Sequence, residues 1–209
     1  MPIALHQFTV QGAGQPGYYP AAEMARQCVD QHALQAIGGP GGGIGNGSCW
    51  AAVATVPTLA FPAPLAVNPA APPGTGTGMA ALPYAMAFGN SQMATIAANV
   101  ALPGLVMPSS HAERNALIGA GANGLALYQP GGAANTAVVF LQLAPCGGCA
   151  AWLAGGGGGV ANPFAAAIGG VLTLHVWYRW SYDNAGIAAW GAWQALSRAN
   201  KLADINGNW

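Results

Sequence analysis

Apolar positions along the chain fall into short blocks, and the spacing inside each block switches between strand-like and helix-like periods. The segment "TAVVFLQLA", residues 136–144, is an unbroken β-branched and apolar run, which predicts a buried strand. "GVLTLHVWYRW", residues 170–180, predicts a second, with Leu172, Leu174, Val176 and Tyr178 on one face. "CWAAVATV" (49–56) and the proline-interrupted "TLAFPAPLAV" (58–67) read as two more, and residues 3–10 as a short first strand. Helical spacing dominates residues 18–39, from Pro20 to the Gly38-Gly39 stop, with Met24, Val29 and Leu34 along one side. It returns over residues 185–203, where Ile187, Trp190, Trp193 and Leu196 recur at i, i+3. Further helices are predicted to start near residue 110 and near Pro145, the second ending at "AGGGGG" (154–159).

Between these blocks, residues 39–48 and 68–78 are glycine- and proline-rich loops, and residues 79–106 show only weak helical character around "NSQMATIAANVAL". Strands alternating with helices predict an α/β fold. The length suits one domain, with residues 1–48 a strand/helix region packed on a core of residues 49–209. No internal repeat is visible.

Composition changes this picture in one respect. The chain of 209 residues carries five Lys or Arg and five Asp or Glu, with no net charge. A typical domain of this size has about fifty charged residues. Without a basic run there is no long-range field to draw the protein to phosphate backbones, which counts against electrostatically driven nucleic-acid binding. Short-range stacking on aromatic rings stays open. So neutral a surface is poorly protected against self-association, so a homo-oligomer or a partner chain is expected. No 18-residue apolar run escapes Pro, Gly or polar residues, and no membrane span is expected. "MPIALHQFTV" lacks the basic and apolar regions of a classical secretory signal. Four cysteines are too few for a disulfide scaffold of this size.

In so uncharged a chain, "SSHAERNALIGA" (109–120) places His111, Glu113 and Arg114 within four positions. Taken alone, Ser110-x-x-Glu113 is a capping box with an acid in the first helical turn. Directly after the buried strand, however, comes "APCGGCAAWL", in which Cys146 and Cys149 are spaced C-x-x-C. Two such cysteines can be a redox dithiol, core residues or metal ligands. A metal reading needs a third ligand, and His111 supplies one from another helix start. Three protein ligands leave one zinc position open, the arrangement of a catalytic rather than a structural site. Glu113, two residues past His111, can then reach an activated water without being a ligand and carry its proton.

The order H-x-E followed by P-C-x-x-C matches the zinc deaminase signature. "HAERNAL" with "APCGGC" resembles the cytidine deaminase superfamily over residues 109–153. The resemblance implies a three-layer α/β/α fold with a central mixed sheet, one zinc ion held by His111, Cys146 and Cys149, and Glu113 as the proton shuttle. It also implies an Asn at the end of the second core strand that contacts a sugar. Asn68 is the candidate, and an ordinary loop-starting Asn before Pro is the alternative. Free-nucleoside members usually continue the cysteine motif with Arg-Gln, where this chain has Ala150 and Ala151.

The expected reaction is hydrolytic conversion of cytosine to uracil. A helix after the last strand resembles the branch acting on nucleic acids and bacterial toxin deaminases, which favours single-stranded DNA as substrate. Free cytidine, deoxycytidine or a nucleotide is the alternative, and a non-catalytic zinc-bound interaction module a second. Trp177 and Trp180, in a cluster with Tyr178 and Tyr182, are candidates for stacking on bases or for the core. A toxin-type reading further implies an immunity-type partner protein. It also implies a cytoplasmic site of action, reached as an effector secreted without a classical signal peptide.

Overall fold

A computed structural model describes residues 3–38, 48–55, 86–91, 111–122, 136–154 and 173–209. Every charged residue, histidine, cysteine and tryptophan of the chain lies within these ranges. Among the described residues there are five strands: β1 (Ile3–Gln7), β2 (Trp50–Thr55), β3 (Ala87–Asn90), β4 (Thr136–Leu143) and β5 (Thr173–Trp180). Five helices accompany them in the same described residues: α1 (Tyr18–Gly38), α2 (Ala112–Ala122), α3 (Gly147–Leu153), α4 (Asn184–Gln194) and α5 (Arg198–Asn208). The strands form one mixed sheet in the order β1-β5-β4-β2-β3. β1, β5 and β4 run parallel, whereas β2 is antiparallel to both β4 and β3. The protein thus has an α/β fold around a five-stranded mixed sheet.

Strand periodicity sorts the core. On β4, Val138 and Phe140 join one apolar cluster, while Ala137, Val139 and Leu141 join another. The first cluster takes Met24, Ala25 and Cys28 of α1, Trp193 of α4, and Leu202 and Ile205 of α5. The second takes Ala112, Ala116 and Leu117 of α2 with Trp152 and Leu153 of α3. A strand buried on both faces reads as an unbroken apolar run, which is why β4 is so plain in the sequence. β1 hydrogen-bonds beside β5, in register from Ile3 opposite Leu174 to Gln7 opposite Tyr178. Residues of the expected 1–48 region therefore supply an edge of the same sheet.

Three expectations need correction. The strand beside β2 is Ala87–Asn90, from a stretch whose composition suggested only weak helix, whereas residues 58–67 lie outside the described residues. The single helix expected over 185–203 is two. Ser197 breaks it because its side chain accepts from the Asn200 N–H and caps a new helix. Pro145 is not in the first turn of α3, for Cys146 occupies the N-cap in an extended conformation.

One contact sets the height of α2 over the sheet. A β-carbon placed on Gly89 of β3 would fall against the backbone of Ala112 and Ala116, and 2.7 Å from the Asn115 carbonyl carbon. Only a residue without a side chain lets the first turn of α2 lie so close.

Candidate metal centre

The first turn of α2 begins at His111, whose carbonyl accepts from the N–H groups of Arg114 and Asn115, each at 3.1 Å. Its imidazole therefore leaves the chain at the mouth of the helix. Ser110, the expected cap, lies outside the described residues. Across from His111, the chain leaves β4 and is tied to β5 by the Ala144 N–H bonded to the Trp180 carbonyl at 2.7 Å. Two residues later Cys146 caps α3, and Cys149 follows in its first turn. Two helix starts thus deliver three ligand-type side chains to one place.

The three donor atoms lie within 4.8 Å of one another. His111 Nδ1 is 3.3 Å from Cys149 Sγ and 3.8 Å from Cys146 Sγ. A tetrahedral zinc ion with zinc–sulfur bonds of about 2.3 Å and zinc–nitrogen bonds of about 2.0 Å puts nitrogen and sulfur roughly 3.5 Å apart. The observed separations bracket that value, so the group can hold a metal ion. The electrostatics favour a cation too. Burial first, and then the neighbouring Glu113 carboxylate, push the Cys149 thiol well above its ordinary range. A positive charge at this point would offset both effects. Arg114 opposes them as well, with a hydrogen bond to Cys149 and its guanidinium carbon 5.3 Å from the Trp152 ring centroid.

Glu113 is 7% exposed, with Oε1 3.9 Å from His111 Nδ1. It opens into a cavity of about 300 Å³ also lined by Cys49, Ser91, His111, Leu143, Cys146, Tyr182, Ile187 and Trp190. Burial and then the Glu113 charge push the Cys49 thiol up to about 12, so this side chain faces the cavity as a neutral group. Among the described residues no Lys or Arg lines the cavity.

The aromatic expectations change here. Trp177 is fully buried in the cluster on the opposite face of the sheet, and its indole N–H donates to the Pro16 carbonyl at 3.0 Å. It has no free face on which a base could stack. Trp180 packs with its ring centroid 5.0 Å from that of Trp193 and 5.6 Å from that of Trp209, and does not line the cavity. Tyr182, Ile187 and Trp190 line it instead. Their signal was the "SYDNAG" run (181–186), in which Asp183 caps α4 by accepting from Gly186 N–H at 2.7 Å. A cap directly after a strand marks the carboxyl end of a parallel sheet, where such folds build sites. Asn68 lies outside the described residues. β3 closes with Asn90 directly before Ser91, which lines the cavity.

Comparison with family models, curated proteins and solved structures found no match to this chain. Among the described residues no helix is long and apolar enough to cross a membrane.

Proposed function

We propose that the protein is a zinc-dependent hydrolytic deaminase that converts cytosine to uracil, built on the three-layer α/β/α arrangement of the cytidine deaminase superfamily. One observation carries the reading. The His111, Cys146 and Cys149 donor set lies beside a buried carboxylate, Glu113, that faces a cavity large enough for a nucleobase. A purely structural zinc site needs no such carboxylate, which argues against a non-catalytic interaction module.

Zinc at this site would supply Lewis-acid activation of a water. The chain's own residues do the rest. Glu113 takes the proton of the attacking water and returns protons to the ring nitrogen and to the departing ammonia. Tyr182 and Trp190 bound the base by their rings, and the apolar wall of Leu143 and Ile187 excludes bulk water.

The sequence resemblance favours cytosine in single-stranded DNA. The charge distribution favours a second reading, an uncharged nucleoside such as cytidine or deoxycytidine. All five cations are engaged internally. Arg26 pairs with Glu23 and Arg198 with Asp30; Arg114 and Lys201 are buried; Arg179 lies over Trp180 and Trp209. None faces the cavity to hold a phosphate.

The test is incubation of the zinc-loaded protein with cytidine, dCMP, single- and double-stranded DNA and RNA, with uracil products measured, alongside Glu113→Gln. Wild type is expected to form uracil from one of these substrates. Glu113→Gln is expected to keep one zinc per chain and lose about 10²–10⁴-fold in rate. A Glu113→Gln variant as active as wild type would falsify this mechanism.

A further inference from the structure

We infer that Gln142 is a positioning residue: a buried relay from Lys201 through Gln194 to Gln142 fixes the ring of Trp190 as a wall of the cavity. The role for substrate rests on the deaminase reading; the relay itself does not.

Gln142 is 1% exposed and stands one residue before Leu143, near the carboxyl end of β4. Its side-chain oxygen accepts from the Trp50 backbone N–H at 2.9 Å, the Gln194 amide at 3.0 Å and the Trp190 indole N–H at 3.2 Å. Three donors on one atom leave no choice of amide orientation, because only the oxygen can accept. One side chain therefore joins the start of β2, the end of β4 and the cavity-facing helix α4.

Gln194 is oriented by the same logic from its other end. Its oxygen accepts from Lys201 Nζ at 3.3 Å, and an ammonium can only donate. The Gln194 NH₂ is thereby turned toward Gln142 and toward the Ser48 carbonyl at 3.0 Å. Lys201 is 6% exposed, lies 5.3 Å from the centroid of the Trp193 ring, and has no carboxylate partner among the described residues. A buried cation without a counter-ion is costly. In a chain with five cations, placing one here is accounted for by what it orders. Charge at one end also polarises the amides in line, strengthening each bond of the chain.

Trp190 needs that restraint. It is half-buried, and its neighbours Ala188, Ala189, Gly191 and Ala192 are small and exposed, so they offer its ring little packing. Gln194 lies one turn further on the same helical face, so both residues reach Gln142 together. Released from Gln142, the indole would rotate in the cavity mouth and present the base with a wall in many orientations.

The experiment uses the zinc-loaded full chain with Gln142→Met, Lys201→Met, Lys201→Arg and Trp190→Phe, the last assigning the Trp190 indole resonance in a ¹H–¹⁵N spectrum. In the wild type that N–H is expected to exchange slowly with solvent. In Gln142→Met and Lys201→Met it is expected to shift and to exchange at least about tenfold faster, with one zinc per chain retained. Lys201→Arg keeps the cation and is expected to restore protection. On whichever of cytidine or a cytosine oligodeoxynucleotide the wild type turns over, both methionine variants raise KM about tenfold with kcat within about twofold. Gln142→Met also leaves three donors without an acceptor and loses stability, so Lys201→Met carries the test by itself. A Trp190 resonance unmoved by Lys201→Met overturns the relay, active enzyme or not. Loss of kcat with KM unchanged overturns the positioning role. Wild type that deaminates nothing defeats the functional reading, while the indole resonance still decides the relay.

Discussion

Arg114 shows how much one residue does in a chain so poor in charge. The sequence does no more than place it beside His111 and Glu113, yet it is 4% exposed and sits over Trp152 with a hydrogen bond to Cys149. At a metal centre such a donor steadies a thiolate ligand, and outer partners of this kind are commonly worth 10–100-fold in metal affinity. Arg114→Met is therefore expected to lower zinc affinity by about that factor, read by competition with a chromophoric chelator. An unchanged affinity would reduce Arg114 to packing on Trp152. The identities of His111, Glu113, Cys146 and Cys149 as a possible constellation were legible in the sequence, because ligand chemistry resides in residue type and short spacing. Arg114 was not, because its partners come from a helix thirty-five residues away.

At the scale of elements, two devices place the site and the sheet edge. Gly89 lets α2 approach β3, and Gly89→Ala would drive a methyl group into the α2 backbone. Overpacking of this kind typically costs about 1–3 kcal/mol. The variant is expected to melt lower and to bind zinc more weakly, since His111 rides on the displaced turn. Weaker stability with unaltered zinc affinity would mean that α2 shifts without moving its ligand. At the other edge, His6 of β1 and His175 of β5 share a hydrogen bond of 3.1 Å and stack at 5.3 Å. Burial holds both below the ordinary histidine value, and His6 further lowers His175. The unfolded chain therefore binds protons that the folded pair refuses. The stabilising term is complete above about pH 6.5 and is lost as pH falls through the lower folded values. Urea midpoints measured between pH 7.5 and 5 should fall in the wild type, and fall less in His175→Gln. Equal slopes would show that other groups govern the acid limb.

Across the whole molecule, charge has been moved inside. Of the ten charged residues, Asp183 alone is exposed, and the segments outside the described ranges contain none. Binding that releases counterions from a nucleic acid needs free cations, and its affinity falls by about 10³–10⁵ between 50 and 200 mM salt when six to ten phosphates are contacted. Here any turnover of oligodeoxynucleotides is expected to change less than about twofold in kcat/KM over that range. A steep salt dependence would show that Arg179 or Arg198 leaves its partner to bind phosphate.

What the sequence determined by itself is local. The apolar run of β4, the helical spacing of α1 and α4 and the metal-type side chains all follow from residue chemistry within a turn or a strand. The tertiary structure decided which strand lies beside β2, because β3 is joined to it across more than thirty residues and is too short to carry a pattern of its own. It also decided which aromatics face the cavity. Trp177, Trp180, Tyr182 and Trp190 look alike in composition, and their exposure depends on register with β1 and β4 and on where Asp183 starts α4. The same holds for the partners of Gln142. Three donors converge on it from β2 and α4, and no spacing along the chain encodes that meeting, since only the packed sheet and helices bring those groups within hydrogen-bond reach.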